Sequence, residues 1–278
     1  MKTTNRFFIA LTAMLLLFST TTFAQDVTQP ETMYYTVTTM HWNLDYEDWD
    51  KDTWIAVQKE YMDNVTMKNE HILSASYYFH HTSPDNTELL YVQGYASWNA
   101  IDKASDRNGE LAREHWADTT ARREYFTKRN AYYANKHSDE IYSVTPGTKT
   151  FAEAPKDGMI LYVRKSHAAF PSDGSGKEFR ELRDGYLENI INKNELIKAY
   201  FPHAHFYGAD STDRIEAFFF DNLADFDKHF ERNGELAKEA WPDEAARKDR
   251  GKRVAKYFSG VHSDAIYTFV GGLNKTNQ

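Results

Sequence analysis

The pentapeptide Asn108-Gly109-Glu110-Leu111-Ala112 occurs a second time, 125 residues later, as Asn233-Gly234-Glu235-Leu236-Ala237. From residue 108 to residue 144 the two stretches share 16 identities in 37 positions without a gap. Unrelated sequences of ordinary composition would share roughly two or three. The chain therefore contains an internal duplication, and its period is too long for a solenoid, so we interpret each copy as a domain.

Each copy is predicted to follow the order βαββαβ. In the first copy, residues 34–42 are β-branched and aromatic, which favours a strand. Residues 54, 57, 61 and 65 are spaced as one face of a helix, and the second copy repeats this spacing at 179, 182, 186 and 190. Two further strands, an interrupted helical region over 99–136 and a last strand over 141–144 complete the unit. This is the ferredoxin-like arrangement, in which an antiparallel sheet of strand order 4-1-3-2 carries helices on one face only.

The other face of such a sheet needs a cover, and the second copy can supply it. The aromatic runs at 77–79 and 218–220 indicate strands that are buried on both faces. The strand order, the tandem duplication and these aromatic strands resemble the dimeric α/β-barrel superfamily over residues 32–270. The resemblance implies an α+β protein in which two tandem ferredoxin-like units form an intramolecular barrel. The expected units span 32–146 and 158–272, joined by a linker over 147–157 that is rich in turn-forming residues.

Members of that superfamily include cofactor-free monooxygenases, haem-binding chlorite-dismutase-like proteins and stress proteins of unknown activity. The resemblance therefore implies a fold and leaves several functions open.

The N-terminus predicts export. Lys2 and Arg6 precede an apolar run over residues 7–18, and Thr22-Phe23-Ala24 offers a small-x-small cleavage site. This order is typical of a secretory signal peptide over residues 1–24, and the run is too short to span a membrane. We expect a secreted or periplasmic protein. The formal net charge of −8 disfavours nucleic-acid binding, and the absence of cysteine excludes disulfides and thiolate chemistry.

Histidines supply the candidate site. The predicted topology places His41, His80, His81 and His137 at one end of the first unit and His167, His203, His205 and His262 at the corresponding end of the second. We predict His205, His262 and His167 as catalytic residues and His203 and Trp241 as cofactor-binding residues. His203 and His205 would also be metal ligands, since alternate strand residues project from one face. A haem or a divalent metal is compatible with this set, and so is the absence of any cofactor.

A structural interpretation competes with each of these assignments. His137 and His262 are expected to end helices, where a cationic side chain favours the helix dipole. Asn108 and Asn233 are expected to be N-caps, and Trp116 and Trp241 to fill the core.

Two functions remain open. The first is a monooxygenase-like or haem/metal-binding enzyme, with a pocket for a small apolar or aromatic ligand between sheet and helices. The second is a non-catalytic envelope module for binding or assembly, which could form a homo-oligomer. A cavity lined by His203, His205 and His262 would favour the first, and two filled cores would favour the second.

Overall fold

The computed structural model describes residues 33–276, and the predicted signal peptide lies outside this range. The first repeat contains β1 (Tyr34–Trp42), α1 (Lys51–Tyr61), β2 (Ser74–Thr82), β3 (Glu88–Tyr95), α2 (Trp98–His115), α3 (Thr119–Ala131) and β4 (Tyr133–Val144). The second contains β5 (Ile160–Ala168), α4 (Gly176–Tyr186), β6 (Ala199–Tyr207), β7 (Asp213–Phe220), α5 (Leu223–Ala240), α6 (Glu244–Ala255) and β8 (Phe258–Lys275). A π-helical turn extends α1 over Met62–Thr66 and α4 over Leu187–Ile191.

The eight strands form one closed barrel in the order β1-β3-β2-β8-β5-β7-β6-β4. Within each repeat the order is the predicted 4-1-3-2, and every pairing is antiparallel. The repeats join where β2 pairs with β8 and where β4 pairs with β6, so neither sheet keeps a free edge. The predicted α+β class and the intramolecular barrel are confirmed.

Aromatic side chains of the strands are buried on both faces of the sheet, as the sequence predicted. Tyr77 and Tyr78 are both buried but belong to different clusters. Tyr77 packs outward against the helices with Trp54, whereas Tyr78 faces the barrel interior with Phe269. The space between helices and sheet is thereby filled in the first repeat, and Ile191, Tyr200 and Phe220 belong to the matching core of the second.

The helix starts follow ordinary capping rules. In each of the six α-helices the N-cap side chain accepts a hydrogen bond from the backbone N–H three residues on; the caps are Asp50, Ser97, Asp118, Ser175, Asn222 and Asp243.

The prediction that Asn108 and Asn233 are N-caps is wrong, because both lie inside helices. Asn108 accepts a hydrogen bond of 2.8 Å from the fully buried Asn69, and Asn233 accepts the same bond from Asn194. The repeated pentapeptide therefore fixes the loop before β2 and β6 to the following helix.

The prediction that His137 and His262 end helices is also wrong. The helical region ends at Ala131 in the first repeat and at Ala255 in the second, so both histidines lie inside strands. His137 is opposite Met40 of β1, and His262 is opposite Ser166 of β5. The mixed polar sequence of these strand beginnings, which lie largely exposed, obscures the two-residue period.

Candidate functional site

A cavity of about 930 Å³ occupies the interior of the barrel. Because all pairings are antiparallel, β1, β2, β5 and β6 point to one end, where the β2–β3 and β6–β7 hairpins lie; we call it the hairpin end. At the opposite end the chain passes from β4 to β5, and residues 150–155 line the cavity there. The cavity thus lies inside the barrel, between the sheets of the two repeats. The expectation of a pocket between sheet and helices is wrong.

Most of the cavity wall is apolar. Its aliphatic and aromatic members include Val37, Tyr78, Leu90, Val92, Phe151, Leu161, Val163, Phe201, Ala217, Phe219, Tyr267 and Phe269. These residues alternate with outward-facing residues along their strands, as the two-residue period requires. A wall of this kind suits an apolar or aromatic ligand.

His203 is the polar residue of this wall with an unmet hydrogen bond. Its Nε2 atom is buried and has no hydrogen-bond partner among the described residues. Its ring stands perpendicular to that of Tyr35, with centroids 5.1 Å apart. Burial lowers the pKa of His203 from 6.5 to about 4, so the imidazole is neutral at pH 7. The His203 ring forms a hydrogen bond with the backbone of Phe201. The Nε2 atom is therefore left as a buried acceptor that faces the cavity.

The two repeats contribute unlike walls. Tyr35, Ser74 and Gly94 lie side by side in one register, and at the duplicated positions the second repeat has Leu161, Ala199 and Phe219. A Cβ atom on Gly94 would lie 2.4 Å from Ser74 Oγ, so glycine makes room for the Tyr35–Ser74 pair. Burial raises the pKa of Tyr35, which keeps its hydroxyl protonated. The wall next to His203 is therefore polar, and the duplicated wall is apolar.

An ion-paired group lines the cavity nearer the hairpin end. Lys165 Nζ lies 2.6 Å from the buried Asp213 carboxylate and 3.6 Å from Glu140. Burial opposes the charge of Lys165, but the hydrogen bond to Asp213 and the charge of Glu140 raise its pKa. Tyr142 donates a hydrogen bond to Glu140, and burial together with this bond raises the pKa of Tyr142.

His41 and His167, at equivalent strand ends, make the same contact with the adjacent hairpin. His41 Nδ1 lies 3.2 Å from Thr87 Oγ1 and 3.2 Å from Asp85. His167 Nδ1 lies 3.2 Å from Thr212 Oγ1 and 3.1 Å from Asp210. The second repeat adds a further carboxylate, because Asp213 lies 3.3 Å from His167.

The other predicted site residues do not converge on the cavity. His205 and His262 are absent from its lining, and His262 pairs locally with Asp264 at 3.4 Å. Trp241 is the C-cap residue of α5 and is absent from the cavity lining, and Arg250 stacks on its ring at 4.2 Å. Trp116, its counterpart, is buried and stacks on Tyr125. Of the predicted set, only His203 contacts the cavity, and the roles assigned to the others stay predictions.

His203 and His205, the predicted metal ligands, belong to no set of three candidate ligands among the described residues. Within residues 33–276, the one set of three or more side chains that could share a metal ion is His167, Asp210 and Asp213.

A haem does not fit the helix–sheet space of the second repeat. His229 of α5 lies there, but the rings of Phe218, Phe220 and Phe226 pack around it with centroids 4.7–6.4 Å away. Its Nδ1 atom is hydrogen-bonded to the Phe226 carbonyl.

The equivalent space of the first repeat is occupied too. Arg129 lies over the Tyr61 ring at 4.3 Å, and its guanidinium donates to Gln58 at 2.9 Å. The same guanidinium also donates to the Tyr77 hydroxyl at 3.4 Å.

Sequence reasoning missed Tyr35, Glu140 and Lys165. A usable signal was present, since Lys165 falls on the inward phase of the otherwise apolar β5 strand, two residues after Val163.

Comparison with solved structures places the fold. A "putative monooxygenase" from Fusobacterium nucleatum subsp. nucleatum superimposes with a TM-score of 0.55 and 10% identity, covering 90% of this chain and 100% of that one. An anthrone oxidase-like protein gives a TM-score of 0.51 and 11% identity, covering 89% and 94%. A mutant chlorite dismutase from Candidatus Nitrospira defluvii gives 0.52 and 12%, covering 87% and 92%.

The chain has the dimeric α/β-barrel fold. It carries both halves of the barrel in one polypeptide. No protein-family model matches the sequence, and no curated protein matches it either. At these identities the superpositions establish the dimeric α/β-barrel fold alone. None of the helices in the described part of the chain is long and apolar enough to cross a membrane.

Proposed function

We propose that this protein binds a small apolar or aromatic molecule with a hydroxyl group inside the barrel, and that His203 accepts the hydroxyl proton. The observation that carries the proposal is the buried, unpartnered Nε2 atom of His203 in a largely apolar cavity. A buried acceptor without a partner is costly, and a ligand hydroxyl would satisfy it.

The shape of the cavity supports this ligand class. A volume of about 930 Å³ lies in the range of small-molecule sites. The polar wall around Tyr35 and Ser74 lies beside His203, and the apolar wall around Leu161 and Phe219 belongs to the other repeat. A ligand with one polar edge and one aromatic face would therefore bind in a defined orientation.

The charge of the cavity disfavours an anionic ligand. Five carboxylates and three lysines are among its lining residues: Asp85, Glu88, Glu140, Glu153, Asp264, Lys136, Lys165 and Lys275. This excess of negative charge is unsuited to chlorite, the anion named for one structural neighbour. It suits a neutral phenol, or a ketone such as anthrone whose enol tautomer carries a hydroxyl group.

Monooxygenase-like chemistry is the finer part of the proposal. Removal of a proton from a phenol, or from anthrone, gives an electron-rich anion that dioxygen can oxidise. For anthrone the balanced reaction consumes one dioxygen and releases anthraquinone and one water. His203 would take the proton, and the imidazolium so formed would pair with the substrate anion inside the water-poor cavity. A neutral imidazole at pH 7 is the form that this role requires.

Anthrone and a neutral fluorescent dye, Nile red, test the proposal. We expect saturable dye binding, displacement of the dye by anthrone, and dioxygen consumption above the uncatalysed rate. His203→Phe should abolish dioxygen consumption and retain dye binding, whereas His262→Gln, on β8 and outside the cavity lining, should change neither. Failure of wild-type protein to bind either probe would refute the cavity site.

A non-catalytic envelope module is the second candidate. The filled helix–sheet cores of both repeats favour it. Probe binding without dioxygen consumption, at every pH between 5 and 9, would support this module over the enzyme. Both versions agree with the proposed export to the periplasm or the medium.

A further inference from the structure

We propose that His167, Asp210 and Asp213 form a binding site for a divalent first-row transition-metal ion at the hairpin end of the second repeat. One nitrogen and two carboxylate oxygens from these side chains lie within 4.8 Å of one another. His167 Nδ1 is 3.1 Å from Asp210 Oδ2 and 3.3 Å from Asp213 Oδ1. Ligands bound at 2.0–2.2 Å in a tetrahedral site are about 3.3–3.6 Å apart, so the two separations from His167 are close to those of a shared ion.

A second observation points to a missing cation. The Asp213 side chain is 1% exposed, and its Oδ1 atom accepts no hydrogen bond of good geometry among the described residues, although His167 Nδ1 lies 3.3 Å away. Its other oxygen, Oδ2, is the one that Lys165 contacts. Arg214 donates to the backbone carbonyl of Asp213 and not to its carboxylate. A buried carboxylate oxygen without a donor is an expected sign of an ion.

The β2–β3 hairpin of the first repeat is the matched case with one carboxylate fewer beside the histidine. There His41 makes the same contacts with Asp85 and Thr87, so one carboxylate is enough to fix the turn. Glu88, at the position of Asp213, instead accepts a hydrogen bond of 2.8 Å from Tyr267. Tyr267 belongs to the second repeat, and its equivalent in the first repeat, Tyr142, donates to Glu140 and not to Asp213. Asp213 has therefore lost the hydroxyl partner that its counterpart keeps.

The local charge also agrees with a divalent ion. Asp210, Asp213 and Glu140 carry three formal negative charges, and Lys165 and Arg214 supply two positive charges. The negative charge that remains favours a cation with neutral imidazole as a ligand. A nitrogen ligand favours Zn²⁺, Mn²⁺ or Co²⁺ over Mg²⁺ and Ca²⁺. Three protein ligands leave at least one position open for water.

Metal titration of the tag-free protein tests the site. We expect Zn²⁺ at a hundredfold excess over its Kd to raise Tm by roughly 5 °C. Calorimetry should give one tight site per chain, and Co²⁺ should produce a visible d–d absorption from nitrogen and oxygen ligands. Asp213→Asn should abolish all three effects. The matched variant Glu88→Gln, at the equivalent position of the first repeat, should retain them.

Several results would overturn the proposal. Absence of a Tm rise with Zn²⁺, Mn²⁺ and Co²⁺ would do so, and so would equal binding stoichiometry in wild type and Asp213→Asn. Loss of binding in Glu88→Gln as well would show that binding does not depend specifically on Asp213, and retention in both variants would assign it to surface histidines. If Asp213→Asn does not fold, Asp210→Asn replaces it, because Asp210 is partly exposed. This variant must then lose the Co²⁺ absorption.

Discussion

His203 has a titratable ring in a buried position, and this lowers the free energy of unfolding in acid. Burial lowers its folded-state pKa from 6.5 to about 4. Between these values the unfolded chain binds a proton that the folded chain does not, so stability falls as the pH falls through this window. Above pH 6.5 this cost falls toward zero.

Replacing His203 should therefore make the protein less sensitive to acid. At pH 5 the cost in wild type is roughly 2 kcal/mol, since one pKa unit corresponds to about 1.36 kcal/mol. The difference in free energy of unfolding between pH 7.5 and pH 5, measured with urea, should be smaller by that amount in His203→Gln. An unchanged difference would contradict the burial of the ring. His262→Gln is the control, since that side chain is largely exposed.

Asn69 and Asn194 hold equivalent loops by side-chain hydrogen bonds. Asn69 is fully buried, donates to the Ala104 carbonyl and Asn108, and accepts from the backbone of His71. Asn69→Ala leaves these buried groups without partners and should cost roughly 2–4 kcal/mol in urea unfolding. In a double-mutant cycle with Asn108→Ala, the two losses should not add, because the residues share one bond. Additive losses would show that the 2.8 Å contact carries no energy.

At the scale of elements, residues 150–155 form a strap across the end of the barrel opposite the hairpin end. Backbone bonds hold its two ends: Lys149 pairs with Tyr200, and Gly158 donates to Phe269. Within the strap, Phe151 packs on Phe219 at 4.9 Å and on Phe201 at 6.1 Å. One aromatic side chain therefore covers this end of the cavity.

Phe151→Ala should open the cavity without unfolding the barrel. The lost ring contacts correspond to about 1.4 kcal/mol or more, so the dissociation rate of Nile red should rise about tenfold. Stopped-flow dilution measures this rate directly. Glu153→Ala, an exposed substitution in the same strap, should leave the rate unchanged. Equal rates in wild type and Phe151→Ala would mean that the ligand leaves through the hairpin end.

Sequence predicted the elements better than their ends. The helix spacing at 54, 57, 61 and 65 was correct, since Trp54, Val57 and Val65 are buried. The ends of α3 and α6 were missed because strands β4 and β8 begin with exposed, charged residues that carry no two-residue alternation. That error placed His137 and His262 on helix ends.

At the scale of the molecule, duplication and patterning were enough for the barrel but not for its cavity. The aromatic runs at 77–79 and 218–220 indicated strands covered on both faces, and a second copy was the available cover. Whether the covered space is filled depends on side-chain volumes across eight strands. Gly94 opposite Ser74 leaves space, whereas the equivalent Phe219 fills it, and these partners become visible only once the register is known.

The barrel also predicts that neither repeat is stable alone. Residues 33–146 would expose the inward side chains Val37, Tyr78, Leu90 and Val92, together with two free edges, β2 and β4. Both features promote association, so we expect this fragment to dimerise or aggregate. Multi-angle light scattering after gel filtration would detect this.

Mixing the fragment with residues 147–276 should instead give a 1:1 complex, because β2–β8 and β4–β6 pairing then closes the barrel. The complex should recover the Nile red binding of the intact chain, whereas neither half alone should bind the dye. A monomeric, cooperatively folded 33–146 fragment would contradict the requirement for mutual cover, because its cavity-facing wall would then be stable in water.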